Sequence, residues 1–502
     1  MKNKFRNTDS NIKAGDLLLT EQPFAFVLMS KEKGIRCDNC LEKGKVLKCS
    51  GCQFVHYCGR ACQRDAWNDH KWECANLKRV APKVVPDAAR MLAKIINRLS
   101  RGDGHSYRSF YSATGFRMWK DLMSHYSDLK ADKKRMDHFS SLCVVLFEFL
   151  KDISLPNTVE LMGIYGRMVI NSFTILDTDM NSIGTGVYLA SSIVDHSCNP
   201  NAVATFDGKT INLRALTDLP CLDWDQIRIS YIDLMYTPYE RQTDLLENYY
   251  FLCQCERCLD ETQVRTVHAA KCLNTECKNT VNIPWKDCPL VRKADSKHVN
   301  GDSVNGDSVN GDSDGDTVNG DSNGDTVNGE NRVEELPDVI RCDECGTKYT
   351  DKHVEDFQRA MDITEEHLKV MKDASVAYVD ICQYCLSRQG ALHPLNVLRA
   401  QTLDHAFDAL VLVRLWERAQ DIAELLLPCF RFYYGERHPL LGILHLKYGK
   451  ILLYKMWIPK ALEHFKNAEK ILKITHGDKH PLYREQLMPI MRQAMVESSY
   501  GN

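Results

Sequence analysis

The chain has 502 residues, 44% of them hydrophobic and 26% charged, with a formal net charge of −3. This balance is globular, enough for roughly two to four domains, and it excludes collagen-like, fibrous and wholly disordered readings. It also excludes a strongly basic nucleic-acid binder, and no apolar run nears the roughly 18 residues of a membrane span.

The N-terminus, MKNKFRNTDSNIK, is polar and shows no signal peptide. Residues 12–28 read as short strands, with apolar runs broken by Ala14-Gly15 and Gln22-Pro23. Cysteine is overused, at 21 residues. Without an export signal, a reducing compartment keeps these as thiols that bind metal or lie buried. Eight ligands run as Cys37-x2-Cys40-x8-Cys49-x2-Cys52-x5-Cys58-x3-Cys62-x7-His70-x3-Cys74. Thiolate with imidazole is the donor set of structural zinc, and this number closes two tetrahedral sites. The pairs Cys58/Cys62 and His70/Cys74 are four apart, so each puts two donors on one helical face. Interleaving is expected, with Cys37, Cys40, Cys58 and Cys62 on one ion and Cys49, Cys52, His70 and Cys74 on the other. His56 reads as a surface or packing residue.

From about 75 to 165 the pattern is helical, as in ARMLAKIINRL and HFSSLCVVLFEFL. Residues 166–252 read as short strands: GVYLASSIV, AVATF, INLRAL and IRISYI. Among them stand Asp195-His196-Ser197-Cys198-Asn199-Pro200-Asn201 and Ile229-Ser230-Tyr231-Ile232-Asp233, followed by Cys253-x-Cys255-x2-Cys258. Three clustered cysteines need a fourth donor to close a zinc site, and Cys198 is the candidate. A metal there pins the distal segment over the strand carrying His196. That makes a cleft roofed by Tyr249 and Phe251.

Residues 299–331 are repeats of VNGDS. They lack the apolar side chains that offset ordering entropy and read as a disordered acidic loop. Cys272-x4-Cys277 and Cys342-x2-Cys345 flank this loop and can close a zinc ribbon, the alternative being unligated thiols. Cys143, Cys221, Cys288, Cys382, Cys385 and Cys429 read as packing residues. From about 355 the chain is helical to its end. Gly435-Glu436-Arg437-His438-Pro439 recurs as Gly477-Asp478-Lys479-His480-Pro481, with a weaker copy at Gly390-Ala391-Leu392-His393-Pro394. Pro after a Gly-containing turn suits a helix start, so stacked helix hairpins resembling tetratricopeptide repeats are expected.

The Cys37–Cys74 run, with its Phe54-Val55-His56-Tyr57-Cys58 and Trp67-x2-His70 features, resembles the MYND zinc finger, a peptide-binding module often for proline-rich ligands. The order of motifs over nearly the whole chain resembles the SMYD family of protein-lysine methyltransferases, in which a MYND finger interrupts a SET fold. The expected fold is α+β and multidomain. Residues 1–36 open the SET domain, 37–74 form the finger, 75–165 a helical insert and 166–252 the SET core. Residues 253–345 form the zinc-bound post-SET segment with the ribbon, and 355–502 the helical repeat domain.

The resemblance implies S-adenosylmethionine as methyl donor and a lysine ε-amine of a histone or other protein as acceptor. It implies three zinc ions, or four with the ribbon. Tyr231 matches the catalytic tyrosine. Asn171, Ser172, Asp195, His196 and Phe251 match cofactor-binding positions, and Phe173 and Tyr249 match the lysine channel. Cys198, Cys253, Cys255 and Cys258 match the third zinc site. A monomer in nucleus and cytoplasm, away from membranes, is expected.

Three positions depart from the family pattern. Asp195 replaces an Asn, no N-terminal Gly-x-Gly strand is visible, and Leu222-Asp223-Trp224-Asp225 replaces a Gly-Glu-Glu turn. The first two motivate a competing reading, an adaptor built on finger and repeats whose donor site is lost. A third reading is a zinc-dependent DNA-binding regulator, which predicts steeply salt-sensitive DNA binding.

Overall fold

The computed structural model describes residues 11–151, 153–286, 339–373 and 378–500. The acidic repeat 299–331 and Cys288 lie outside the described residues.

Two small antiparallel sheets carry the strand core. One orders Leu17–Glu21, Thr210–Ala215 and Ala202–Asp207; the other orders Ala25–Leu28, Ser182–Val187 and Ser172–Leu176. In Thr210–Ala215 every second residue is buried, so Ile211, Leu213 and Ala215 face the core. The N-terminal strands pair with partners far along the chain, Ala25 opposite Val187 and Glu21 opposite Ile211. Everything between Leu28 and Ser172 is therefore an excursion from one sheet. A parallel pair, Asp195–His196 beside Arg228–Ile229, sets His196 opposite Ile229.

The excursion contains the finger, with its two-residue hairpin strands and the helix Arg60–Val80. Helices Asp87–Ser100, Lys133–Phe149 and Thr158–Asn171 follow. Asp87–Ser100 buries Met91, Leu92, Ile95, Ile96 and Leu99, the face its apolar spacing dictates.

Three parts of the expected strand region differ. Helix Thr158–Asn171 runs past residue 165, and helix Pro238–Tyr249 lies inside 166–252, started by the Thr237/Glu240 capping box. The run GVYLASSIV leaves its ladder after Val187 and closes a 3₁₀ turn at Ser191–Ile193. The cause is Glu21. Its buried carboxylate accepts from Ala190 N (2.9 Å), Ser191 N (2.8 Å) and the Ser191 and Ser109 hydroxyls. Those donors supply what a strand partner otherwise would.

The C-terminal region is helical from Asp351, with hairpins such as Pro439–Tyr454 against Ile458–Thr475. The repeated His-Pro turns have one mechanism. Nδ1 of His393, His438 and His480 accepts the backbone N–H two residues on, at 3.2 Å in each case. The histidine is thus the capping residue of the turn, and Pro needs no donor there. Phe465, Ala468 and Leu472 line the buried face of Ile458–Thr475. Among the described residues no helix is long and apolar enough to cross a membrane.

Candidate active site and metal centres

A cavity of about 440 Å³ opens between the strand core and the helical region. The end of helix Thr158–Asn171 and strand Ser172–Leu176 bring Asn171, Ser172 and Phe173 to its wall, and the segment after Arg228–Ile229 brings Tyr231. Tyr249, at the end of its helix, closes one side, and Tyr434 and His438 face it from the helical region.

Tyr231 is fixed at both ends. Its backbone N–H donates to His196 Nδ1 at 3.0 Å, and its hydroxyl donates to the Val194 carbonyl at 2.5 Å. Burial, then the Asp195 charge, pushes its phenol well above the ordinary range, so it stays a neutral hydroxyl. Its ring lies 5.0 Å from Tyr249 and 5.4 Å from His196. The Asn171 amide nitrogen is committed to the Met123 and Arg167 carbonyls, at 2.8 and 2.9 Å. Ser172 Oγ donates to Met168 O, and Phe173 stands edge-on to Tyr188.

Three expected cofactor residues do not line this cavity. His196 and Phe251 are outside its lining, their rings 6.0 Å apart and that of His196 5.4 Å from Tyr231. Asp195 is exposed, with Arg228 3.9 Å from its carboxylate.

The metal-ligand residues gather in fours. Cys37, Cys40, Cys58 and Cys62 form one cluster, and Cys49, Cys52, His70 and Cys74 a second. Cys198, Cys253, Cys255 and Cys258 form a third, and Cys272, Cys277, Cys342 and Cys345 a fourth. Ligand atoms within each lie within 4.8 Å of one another. A zinc tetrahedron with Zn–S of about 2.3 Å has edges of about 3.8 Å. The sulfur pairs fit: Cys40–Cys58 and Cys49–Cys74 at 3.8 Å, Cys198–Cys258 at 3.5 Å. The donors therefore suit zinc, which when bound would tie each set together.

The interleaved pairing of the finger ligands holds, but one helical expectation does not. Helix Arg60–Val80 starts after Cys58, so only Cys62, His70 and Cys74 are helical. The hairpin end supplies Cys58 instead. His56 is buried and packs, its backbone N–H donating to Asp38. Cys382, Cys385 and Cys429 are buried, as packing requires, whereas Cys221 is exposed.

Sequence reasoning missed the partners of the ligands. Glu73 accepts from Arg90 Nε (2.9 Å) and bonds His70 Nδ1 (3.1 Å), which fixes the imidazole with Nε2 toward Cys52. Arg241, fully buried, lies 3.8 Å from Cys258 Sγ and brings positive charge to a four-thiol site. Arg257 holds the Cys198 carbonyl at 2.9 Å. The residues carried no motif, and only the ligand spacing pointed toward their neighbourhood.

Residues 37–74 match the MYND finger family. The chain is 26% identical over 484 residues to the mouse histone-lysine N-methyltransferase SMYD3, covering 95% of this chain and 92% of that protein. It is 25% identical to the Arabidopsis thaliana histone-lysine N-methyltransferase ASHR1, covering 98% of this chain and 93% of the relative. Zebrafish N-lysine methyltransferase SMYD2-A is 22% identical over 95% of this chain and 92% of its own length. Over nearly its whole length the chain is similar to SMYD-type lysine methyltransferases. At 95% coverage of this chain, the similarity to the mouse protein extends far beyond the finger.

Proposed function

We propose that the chain is a protein-lysine N-methyltransferase whose reaction site is the cavity walled by Tyr231 and Tyr249. The strands around it are read as a SET core, and the C-terminal hairpins as TPR-like repeats. The observation that carries the reading is the fixed, neutral Tyr231 hydroxyl at the wall of a 440 Å³ cavity shared with Tyr249, Asn171 and Phe173.

S-adenosylmethionine, when bound, supplies an electrophilic methyl group on a positively charged sulfur. Asn171 and Ser172 at the cavity wall are assigned to hold it, together with His196, Phe251 and Asp195 outside that lining. The chain's own residues do the rest. An attacking lysine must be neutral, and the aromatic walls of Tyr231, Tyr249 and Phe173 disfavour the ammonium by excluding water. The Tyr231 hydroxyl is held on Val194 O, which uses its hydrogen and leaves its oxygen free to accept. Positioning then lowers the barrier of an in-line displacement. The substrate class is a histone tail first and other proteins second. The finger takes peptide partners, proline-rich ones among them, and the protein works in nucleus and cytoplasm.

Radiolabelled-methyl transfer to histones and to whole-cell lysate tests the reading. Tyr231→Phe is expected to lower kcat roughly a hundredfold while the lost Val194 bond costs only about 1 kcal/mol of stability, and undiminished activity would remove its role. The adaptor reading rests on the Asp195 carboxylate, but Arg228 at 3.9 Å offsets its repulsion of a donor carboxylate. Calorimetry decides between the two. Heat on S-adenosylmethionine addition supports the enzyme, and none supports the adaptor.

A further inference from the structure

The resemblance accounts for three of the four thiol clusters. The fourth joins segments far apart in sequence, Cys277 and Cys342 being 65 residues apart. We propose that Cys272, Cys277, Cys342 and Cys345 hold a fourth, structural zinc ion that staples the two ends of the 286–339 connection and seats the first helix of the C-terminal region.

Four observations carry it. First, the sulfurs have tetrahedral spacing. Cys272–Cys345 is 3.5 Å and Cys277–Cys342 is 3.8 Å. Those are edges of a zinc tetrahedron, far from the roughly 2.05 Å of a disulfide.

Second, Cys342-Asp343-Glu344-Cys345-Gly346 is a tight ligand turn. Cys342 N donates to Thr347 O and Gly346 N to Cys342 O, both at 2.9 Å. Gly346 sits at φ +71°, where a side chain is strained, so the residue that lets the chain turn back is the one type that fits.

Third, polar hydrogens converge on the sulfurs. The Thr347 hydroxyl lies 3.1 Å from Cys345 Sγ. Asn279 Nδ2 adds a longer contact to Cys342 at 3.9 Å. Donors aimed at sulfur suit a ligating thiolate.

Fourth, the unit has little secondary structure of its own. Its strands Ala270–Lys271 and Thr280–Val281 have two residues each, too short to stand alone. Yet helix Asp351–Asp373 is anchored on it. Tyr349 Oη donates to Lys271 O at 2.6 Å, Gln358 to Pro284 O at 2.7 Å, and Trp285 Nε1 to Asp362 at 2.9 Å.

Native mass spectrometry of the full, zinc-replete chain tests this independently of any methyl transfer. Wild type is expected to carry four zinc ions, and Cys345→Ser, a change at the exposed ligand, three. Wild type with three, a mass lighter by the hydrogens of disulfides, or Cys345→Ser with four would overturn it. The wild-type count decides even where the variant fails to fold. Hydrogen exchange tests the seating. Residues 270–281 and the first turns of 351–373 are expected to exchange faster in Cys345→Ser, and unchanged exchange there rejects the staple's role.

Discussion

Glu73 shows how much one side chain can hold. It is 1% exposed and touches Arg90, Lys94 and the His70 imidazole. Burial by itself pushes its carboxyl up, but Arg90, then Lys94 and the His70 bond, outweigh this and hold it well below the carboxylate range. It stays charged, and it orients a zinc ligand while neutralising a buried guanidinium. Glu73→Gln keeps the shape and removes the charge. The Arg90 charge is then left buried without its main partner, a loss of about 3–5 kcal/mol in denaturant unfolding. Zinc affinity of the Cys49/Cys52/His70/Cys74 site is expected to fall roughly 10–100-fold in a chelator competition. Unchanged affinity would show that His70 does not depend on Glu73 for its orientation.

Helix Thr158–Asn171 links the scale of the residue to that of the element. It ends on Asn171, whose amide binds the Met123 carbonyl, and it crosses the 123–129 segment at Gly166. A Cβ at Gly166 would meet Ser124 O at 2.3 Å and Leu129 Cδ1 at 2.7 Å. Only glycine allows this approach, and it sets where the cavity wall begins. Gly166→Ala must push the helix off the 123–129 segment and strain the Asn171 contact. The expected loss is about 1–3 kcal/mol, with weaker S-adenosylmethionine binding in calorimetry. A variant that loses stability but binds normally would separate the helix position from the cofactor wall.

Elements were legible where their information is local. Ligand spacing announced the finger, because fixed offsets in a short chain leave few ways to close two tetrahedra. Apolar periodicity announced Asp87–Ser100, whose buried face repeats every turn. What stayed hidden was set by partners distant in sequence. The strand-like run at 186–194 bends because Glu21, from the other sheet, takes its amides. Arg90 meets Glu73 from the next helix, and Val194 O receives a hydroxyl from Tyr231, 37 residues on. The His-Pro repeat was visible, but its reason was not: the imidazole as cap needs a backbone geometry that letters do not carry.

At the scale of the molecule, the helical region closes over the strand core through a seam rich in histidine. His480 Nε2 donates to Phe206 O at 2.8 Å, while its Nδ1 accepts from Leu482 N, so the ring is held neutral. His438 stacks on Tyr434 at 4.5 Å, beside the cavity. Burial, with the Arg257 charge adding, lowers His438 to about 3, and burial also lowers His476 and His480. The sign follows from linkage. Below its ordinary value of about 6.5 the unfolded chain takes up a proton at each histidine, whereas the folded seam refuses it, at His438 down to about 3. The stability these rings contribute is therefore complete above pH 6.5 and is lost progressively as pH falls from 6.5 toward 3. Because the seam carries Tyr434 and His438 at the cavity wall, acid should loosen the wall together with the fold. His438→Asn keeps a side-chain acceptor for the helix start and removes the titration. Wild type is expected to lose roughly 1–2 kcal/mol more than His438→Asn between pH 7.5 and 5.0, read by denaturant unfolding. Parallel losses in the two proteins would mean that His438 does not contribute to the acid sensitivity of the seam.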